Sequence, residues 1–233
     1  MGKVYFISGI DTGIGKTVAV GMMCRSLQAA GRKWISVKMV QTGCRGFAED
    51  LEVHRKLAGV GKFPEDEAGL TAPQIFGYPA SPLLAAQLEG GVVDLDGIAR
   101  AVAEVARRYE LVLVEGAGGL CVPLTENELA VDFAAREGWP LILVTSGRLG
   151  AINHTLLSLE AAHARGIALA GIVMNAFPET DVRLFDDARA AVSRHLMRLG
   201  IACPVRILPD VASPLASLPD FTCFFGDERL GSA

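Results

Sequence analysis

Gly9-Ile10-Asp11-Thr12-Gly13-Ile14-Gly15-Lys16-Thr17, entered from the apolar run Val4-Tyr5-Phe6-Ile7 and followed by a helical pattern, decides how this chain folds. Strand, glycine-rich turn, Lys, Thr and then helix is the order that lets backbone N–H groups surround a polyphosphate, the helix's positive end and a lysine adding charge. The segment reads as a phosphate-binding loop in which Lys16 meets the phosphates and the Thr17 hydroxyl holds Mg²⁺. The common G-x-x-x-x-G-K-[ST] spacing would put its first glycine at Ile10, whereas here five residues separate Gly9 and Gly15. The plainer alternative is a glycine turn closing a strand and helix, with a surface lysine beside it.

The rest of the chain is consistent with a nucleotide-binding α/β protein. With 233 residues, 51% of them apolar, it is long enough for one well-buried core and short for two, so residues 1–233 are expected to form a single domain. Gly, Arg, Glu or Pro interrupts every apolar run before the ~20 residues needed to cross a bilayer. No membrane partner is expected, and the N-terminus lacks the layout of a secretory signal. Cys24, Cys44, Cys121, Cys203 and Cys223 are scattered, with neither C-x-x-C spacing nor a histidine cluster. This argues against a disulfide framework or zinc site and for a reducing cytoplasm. A net charge of -4 with no basic run argues against a nucleic-acid surface.

Val-, Ile- and Leu-rich runs alternate with segments of helical period, the pattern of a mostly parallel β-sheet with helices on both faces. The fold class expected is therefore α/β, P-loop NTPase-like. Strands are predicted at residues 33–38, 111–114, 140–144 and 168–174. Helices are predicted at 17–30, 49–58, 83–88, 95–108, 129–137, 151–165 and 182–199. The proline-rich stretch through Pro64, Pro73, Pro79 and Pro82 reads as loop, and the chain past Pro204 reads as irregular.

In such sheets ligands bind beyond the carboxyl ends of the strands. That rule gathers the phosphate loop, Lys38 to Cys44, Glu115 to Gly119, Ser146 to Asn153 and Asn175 on one rim. Lys38 alone reads as a solvated strand-end charge; beside Lys16 it becomes a second ammonium facing a γ-phosphate. Asp11, Asp50 and Glu115 are the acidic candidates for Mg²⁺, a hard cation that takes oxygen ligands. Glu115 is the strongest, since it follows four apolar residues and opens Glu-Gly-Ala-Gly-Gly, though a loop carboxylate capping nearby N–H groups reads the same way. Asp50, next to Glu49 at a helix start, serves equally well as a cap. Ser146 to His154 reads either as an anion-binding helix start or as an ordinary loop and helix. His154 and His163 have no ligand spacing around them.

Taken together, several segments resemble the dethiobiotin synthetase family of ATP-dependent ligases. The phosphate loop shares that family's five-residue gap. Lys38 with Gln41-Thr42-Gly43, Ser81-Pro82, Val114 to Gly119, Leu149-Gly150 with Ile152-Asn153-His154, and Val173 to Asn175 follow in matching order. Met39 stands where the family commonly has proline, and Arg206 where a glycine is expected near the base. The resemblance implies that CO₂ adds to one amine of 7,8-diaminononanoate, that ATP phosphorylates the resulting carbamate, and that the second amine displaces phosphate to close the ring. It implies catalytic roles for Lys16, Lys38 and Thr12, and ATP held by Gly13, Ile14, Gly15, Lys16, Thr17, Val18, Glu115, Gly118 and Asn175, the last reading adenine. Mg²⁺ would be handled by Thr17, Asp50 and Glu115, and the diamine and its carbamate would lie against Thr12, Lys38 and Thr42. Gly150, Ala151, Ile152 and Asn153 would offer N–H groups to the substrate carboxylate from the second subunit of a homodimer.

The competing expectation is a partitioning or positioning ATPase, a nucleotide-switched dimer of the same architecture. Such proteins carry a second lysine early in the phosphate loop, which Ile10 to Ile14 lack, and often a basic amphipathic tail, which Asp227-Glu228-Arg229-Leu230-Gly231 is not. A synthetase with an attached glutaminase domain would need a longer chain.

Overall fold

The computed structural model describes residues 1–178, 181–211 and 218–226. The C-terminal residues 227–231 considered above as a tail lie outside the described residues. Six strands form one parallel sheet in the order β2-β5-β1-β6-β7-β8. They are β1 (Lys3–Gly9), β2 (Trp34–Lys38), β5 (Leu111–Gly119), β6 (Leu141–Ser146), β7 (Leu169–Asn175) and β8 (Val205–Leu208). A separate two-stranded parallel ladder joins β3 (Gln41–Thr42) and β4 (Ile75–Phe76).

The helices between strands are α1 (Lys16–Ala29), α2 (Glu49–Ala58), the one-turn α3 (Pro64–Glu67), α4 (Pro82–Leu88), α5 (Leu95–Ala106), α6 (Ala130–Arg136), α7 (Ala151–His163) and α8 (Val182–Arg198). Leu111 to Ala117 and Leu141 to Ser146 are buried without alternation, as befits strands covered on both faces. Apolar side chains at helical spacing on α5, Leu95, Ile98, Val102 and Val105, complete part of that core.

Register aligns the functional rim. Gly9 pairs with Gly119 and Val144, Lys38 with Glu115, and Ser146 with Asn175, so the loops after five neighbouring strands emerge side by side. Three sequence expectations need correction. The strand predicted to end before Glu115 continues to Gly119, because the charge is met by partners inside the fold and the ladder resumes after an irregularity at Gly9. The stretch past Pro204 contains β8, whose Arg206 is exposed and breaks the apolar run on an edge strand bonded to β7 alone. The proline-rich loop likewise holds α3 and β4, elements too short to show a period.

Candidate active site

Parallel strands lie ~4.8 Å apart, so side chains at one register can touch. Lys38 Nζ is 2.8 Å from Glu115 Oε1 and donates to the Gly116 carbonyl at 3.0 Å. The same ammonium lies 2.6 Å from Asp50 Oδ2, in the first turn of α2. Asp50 does not cap its helix: the N-cap is Ala48, which makes no side-chain bond. From the first turn of α1, the Thr17 hydroxyl donates to Glu115 Oε1 at 3.0 Å, and His54 Nε2 meets the other oxygen at 2.7 Å. Glu115 is 1% exposed and Lys38 5%, so neither is a surface charge.

Lys16, also buried, donates to the Asp11 carbonyl at 2.9 Å. The loop before it can tighten because Gly15, at φ 98°, begins the helix in the left-handed region. A Cβ there would come within 2.5 Å of Asn175 Nδ2. No side chain caps α1, whereas Ser81, Asp94 and Asp181 cap α4, α5 and α8. The N–H groups at the start of α1 are thus left for an anion, and no acidic residue occupies its first turn.

Thr12, Gly13, Gly15, Lys16 and Thr17 line a cleft of about 380 Å³ whose opposite wall is Lys38, Thr42, Asp50, Glu115 and Gly118. The structure therefore brings together most of the residues expected from sequence. Ile14 is buried below the loop, where its carbonyl accepts from Asn175 Nδ2 at 3.0 Å, and Asn175 Oδ1 accepts from the Phe177 N–H. Neither these two nor Val18 lines the cleft. Gly150 to Asn153 begin α7 and do not line the cleft, nor does Asp11, which is ion-paired to Arg148. A second cleft of about 410 Å³, walled by Pro79, Ala80, Pro82 and Val122, shares Thr12, Thr42, Ala117 and Gly118 with the first. Those shared residues form the seam between a charged and a largely apolar compartment.

Burial pushes the Lys16 pKa down, the Lys38 ammonium pushes it further, and the result is about 8. Burial also opposes charge on Lys38, but Glu115 and Asp50 more than offset it and hold its pKa above the ordinary lysine value. For Glu115, burial favours the acid, yet Lys38 and the His54 hydrogen bond keep it a carboxylate well below the usual range. Lys16 therefore titrates first. Below pH 8 it is protonated in both the folded and unfolded chain and its folded-state penalty is fully present. Between about 8 and its ordinary value of 10.5 the native state sheds the proton first, so this lysine's contribution raises stability with pH. Nucleotide capture should run the other way. We expect kcat/KM for ATP to fall as pH rises through about 8, with kcat less affected once phosphate charge holds the proton on Lys16. A flat kcat/KM profile from pH 7 to 9.5 would contradict this.

The oxygen set also suits a divalent cation. Two carboxylates and a hydroxyl converge, all hard donors, and the carboxylates already share one positive charge, the Lys38 ammonium. Sequence reading missed His54 and Arg55. A usable signal was present: Asp50 and His54 are four apart on α2, which puts both on one face. Met39 has an evident consequence too, since its N–H donates to the Glu115 carbonyl at 3.1 Å, a bond a proline could not make.

Residues 3–214 match a family model described as an AAA domain. The chain is 50% identical over 184 residues to ATP-dependent dethiobiotin synthetase BioD 2 of Haemophilus influenzae, covering 79% of this chain and 96% of that protein. This chain belongs to the dethiobiotin synthetase family. The BioD 2 protein of Pasteurella multocida is 46% identical over 84% of this chain and 92% of its own length. The corresponding figures for the BioD protein of Chlorobaculum tepidum are 47%, 85% and 83%. Among solved structures, the septum site-determining protein MinD of Pyrococcus horikoshii with Mg-ADP aligns at TM-score 0.51 and 17% identity, covering 90% of this chain and 82% of that one. ParA of pNOB8 bound to nonspecific DNA aligns at 0.53 and 13%, covering 84% and 76%. At such identities these two show that this chain has a P-loop NTPase-like fold, and nothing about its task.

Proposed function

We propose that this chain is an ATP-dependent cyclo-ligase that carboxylates 7,8-diaminononanoate with CO₂ and closes the ring to dethiobiotin, releasing ADP and phosphate. Carbamate formation, phosphorylation of a carbamate oxygen and displacement of phosphate by the second amine would follow in order. The observation that carries this reading is the convergence of Lys16, Lys38, Thr17, Asp50 and Glu115 on one cleft that opens, through Thr12 and Thr42, into an apolar one.

The charged compartment fits a triphosphate and the apolar compartment fits a nine-carbon chain. Lys16 and the free N–H groups of α1 would hold the phosphates. Thr17, Asp50 and Glu115 would hold Mg²⁺, which when bound neutralises charge on the phosphoryl oxygens. Lys38, placed beside the seam, would face the carbamate and the transferring group, while Thr12 and Thr42 fix the diamine so that ring closure is an intramolecular attack. Asn175 stands behind the loop on the side proposed for adenine, contacting Ile14. The whole described chain would act as one domain, in the cytoplasm; no helix among the described residues is long and apolar enough to cross a membrane.

Incubation with diaminononanoate, bicarbonate and Mg·ATP is expected to yield one ADP per dethiobiotin. ADP formation that ignores the diamine and rises with DNA or lipid would overturn this reading in favour of a switch ATPase.

The acidic end of the substrate would be received by a second copy. Gly150 begins α7 uncapped at φ 88°, and none of residues 150–153 lines the phosphate cleft of its own chain. Leu149 and Leu157 beside them are 87% and 61% exposed, which favours burial against a partner. Leu157→Glu is expected to shift sedimentation from dimer to monomer and to raise KM for the diamine more than KM for ATP. An unshifted wild-type monomer would remove the shared-site proposal.

A further inference from the structure

A continuous hydrogen-bonded chain runs from buried Asp66 on α3 to the carboxylate at the centre of the site. Asp66 Oδ2 and Oδ1 accept from Arg55 Nε at 3.0 Å and Nη2 at 2.6 Å, and Asp66 is itself fixed by the Phe63 N–H and the Thr71 hydroxyl. Arg55 Nη1 donates to Ser36 Oγ at 2.6 Å, Ser36 Oγ lies 3.0 Å from His54 Nδ1, and His54 Nε2 lies 2.7 Å from Glu115 Oε2. Ser36 and His54 are both fully buried. With Arg55 donating to the Ser36 oxygen, the hydroxyl proton is free to point at Nδ1. A carboxylate only accepts, so Nε2 must carry the N–H that Glu115 receives. Oε1 is thereby left for Thr17 and Lys38.

Resting on the proposed role of Glu115 at the metal, we propose that His54 is a positioning residue: oriented by Ser36 and Arg55, its Nε2–H clamps Glu115 Oε2 and aims Oε1 at the Thr17 side of the cleft, where Mg²⁺ would be received. His54 touches neither nucleotide nor substrate. Groups of this kind, hydrogen-bonded behind a metal-binding side chain, set its orientation, and their loss usually costs metal affinity by about 10–100-fold. The histidine also explains why a glutamate can be this deeply buried, since the proton donor on its inner oxygen would otherwise be missing.

The test is calorimetric binding of ADP with Mg²⁺ and with EDTA. For His54→Phe the tightening that Mg²⁺ gives wild type is expected to shrink by about tenfold or more, with ADP affinity in EDTA unchanged. His54→Gln, whose amide restores an N–H donor, should recover most of it. Glu115→Gln, measured alongside, separates the two claims. If it loses the Mg²⁺ effect while His54→Phe keeps it, the positioning role is overturned and the metal role of Glu115 stands. If Glu115→Gln keeps the effect as well, both are overturned. Should His54→Phe fail to fold, the long-range ¹H–¹⁵N spectrum of the wild-type imidazole decides. A protonated Nε2 is expected, and a bare Nε2 overturns the proposal.

Discussion

Lys38→Ala is expected to reduce turnover by about 10²-fold or more and to lower unfolding free energy by about 3 kcal/mol. Two separate causes act. The ammonium beside the compartment seam would oppose negative charge on the phosphorylated carbamate, and its loss leaves that charge unmet during transfer. The same ammonium lies between Asp50 and Glu115 at 2.6 and 2.8 Å, and removing it strands a fully buried carboxylate. Breaking a buried ion pair from one side is costly for that reason. Protonation of Glu115 and its remaining bond to His54 limit the loss. Taken alone in the sequence, Lys38 reads as a solvated strand-end charge; in the fold it is buried. Urea unfolding and steady-state kinetics on one preparation read both effects. Wild-type stability in the variant would show that the carboxylates do not depend on Lys38.

Lys16→Met should behave in the opposite way on stability. Its pKa near 8 means that the folded chain bears a penalty for charging it at neutral pH, made larger by the Lys38 ammonium. A neutral side chain of similar length removes the penalty, so a melting temperature at or above wild type is expected. Activity is expected to collapse: kcat/KM for ATP should fall by about 10³-fold, because the helix N–H groups of α1 remain but the Lys16 positive charge does not. A variant that is both less stable and still active would contradict both the burial argument and the phosphate assignment. The paired outcome, one lysine needed for the fold and the other working against it, cannot be produced by a general loss of positive charge.

Much of this arrangement was legible beforehand, and the reasons are specific. The Gly9 to Thr17 segment is local, so its loop and helix follow from neighbouring residues, and the strand before it is apolar enough to place it centrally. Lys38 and Glu115 could be put on one rim by the rule for parallel sheets, but not in contact. Their meeting depends on β2 and β5 being neighbours in register, a long-range fact. The spacing from Asp50 could have put His54 on the site face of α2, but its contacts were hidden for the same reason: Ser36 and Glu115 are 18 and 61 residues away. Asp50 could be read equally as a cap or a site residue until Ala48 proved to be the N-cap. The short strands β3, β4 and β8 escaped because two to four residues carry no period.

In the proposed site, both lysines and a metal held by Thr17, Asp50 and Glu115 would work on one triphosphate in one cleft. A crystal structure with Mn²⁺ in place of Mg²⁺ and a non-hydrolysable ATP analogue tests it most directly, since anomalous scattering locates the metal without ambiguity. The metal is expected beside Thr17, with Asp50 and Glu115 facing it and the γ-phosphate within reach of Lys16 and Lys38. A metal or triphosphate bound anywhere outside that cleft would contradict it.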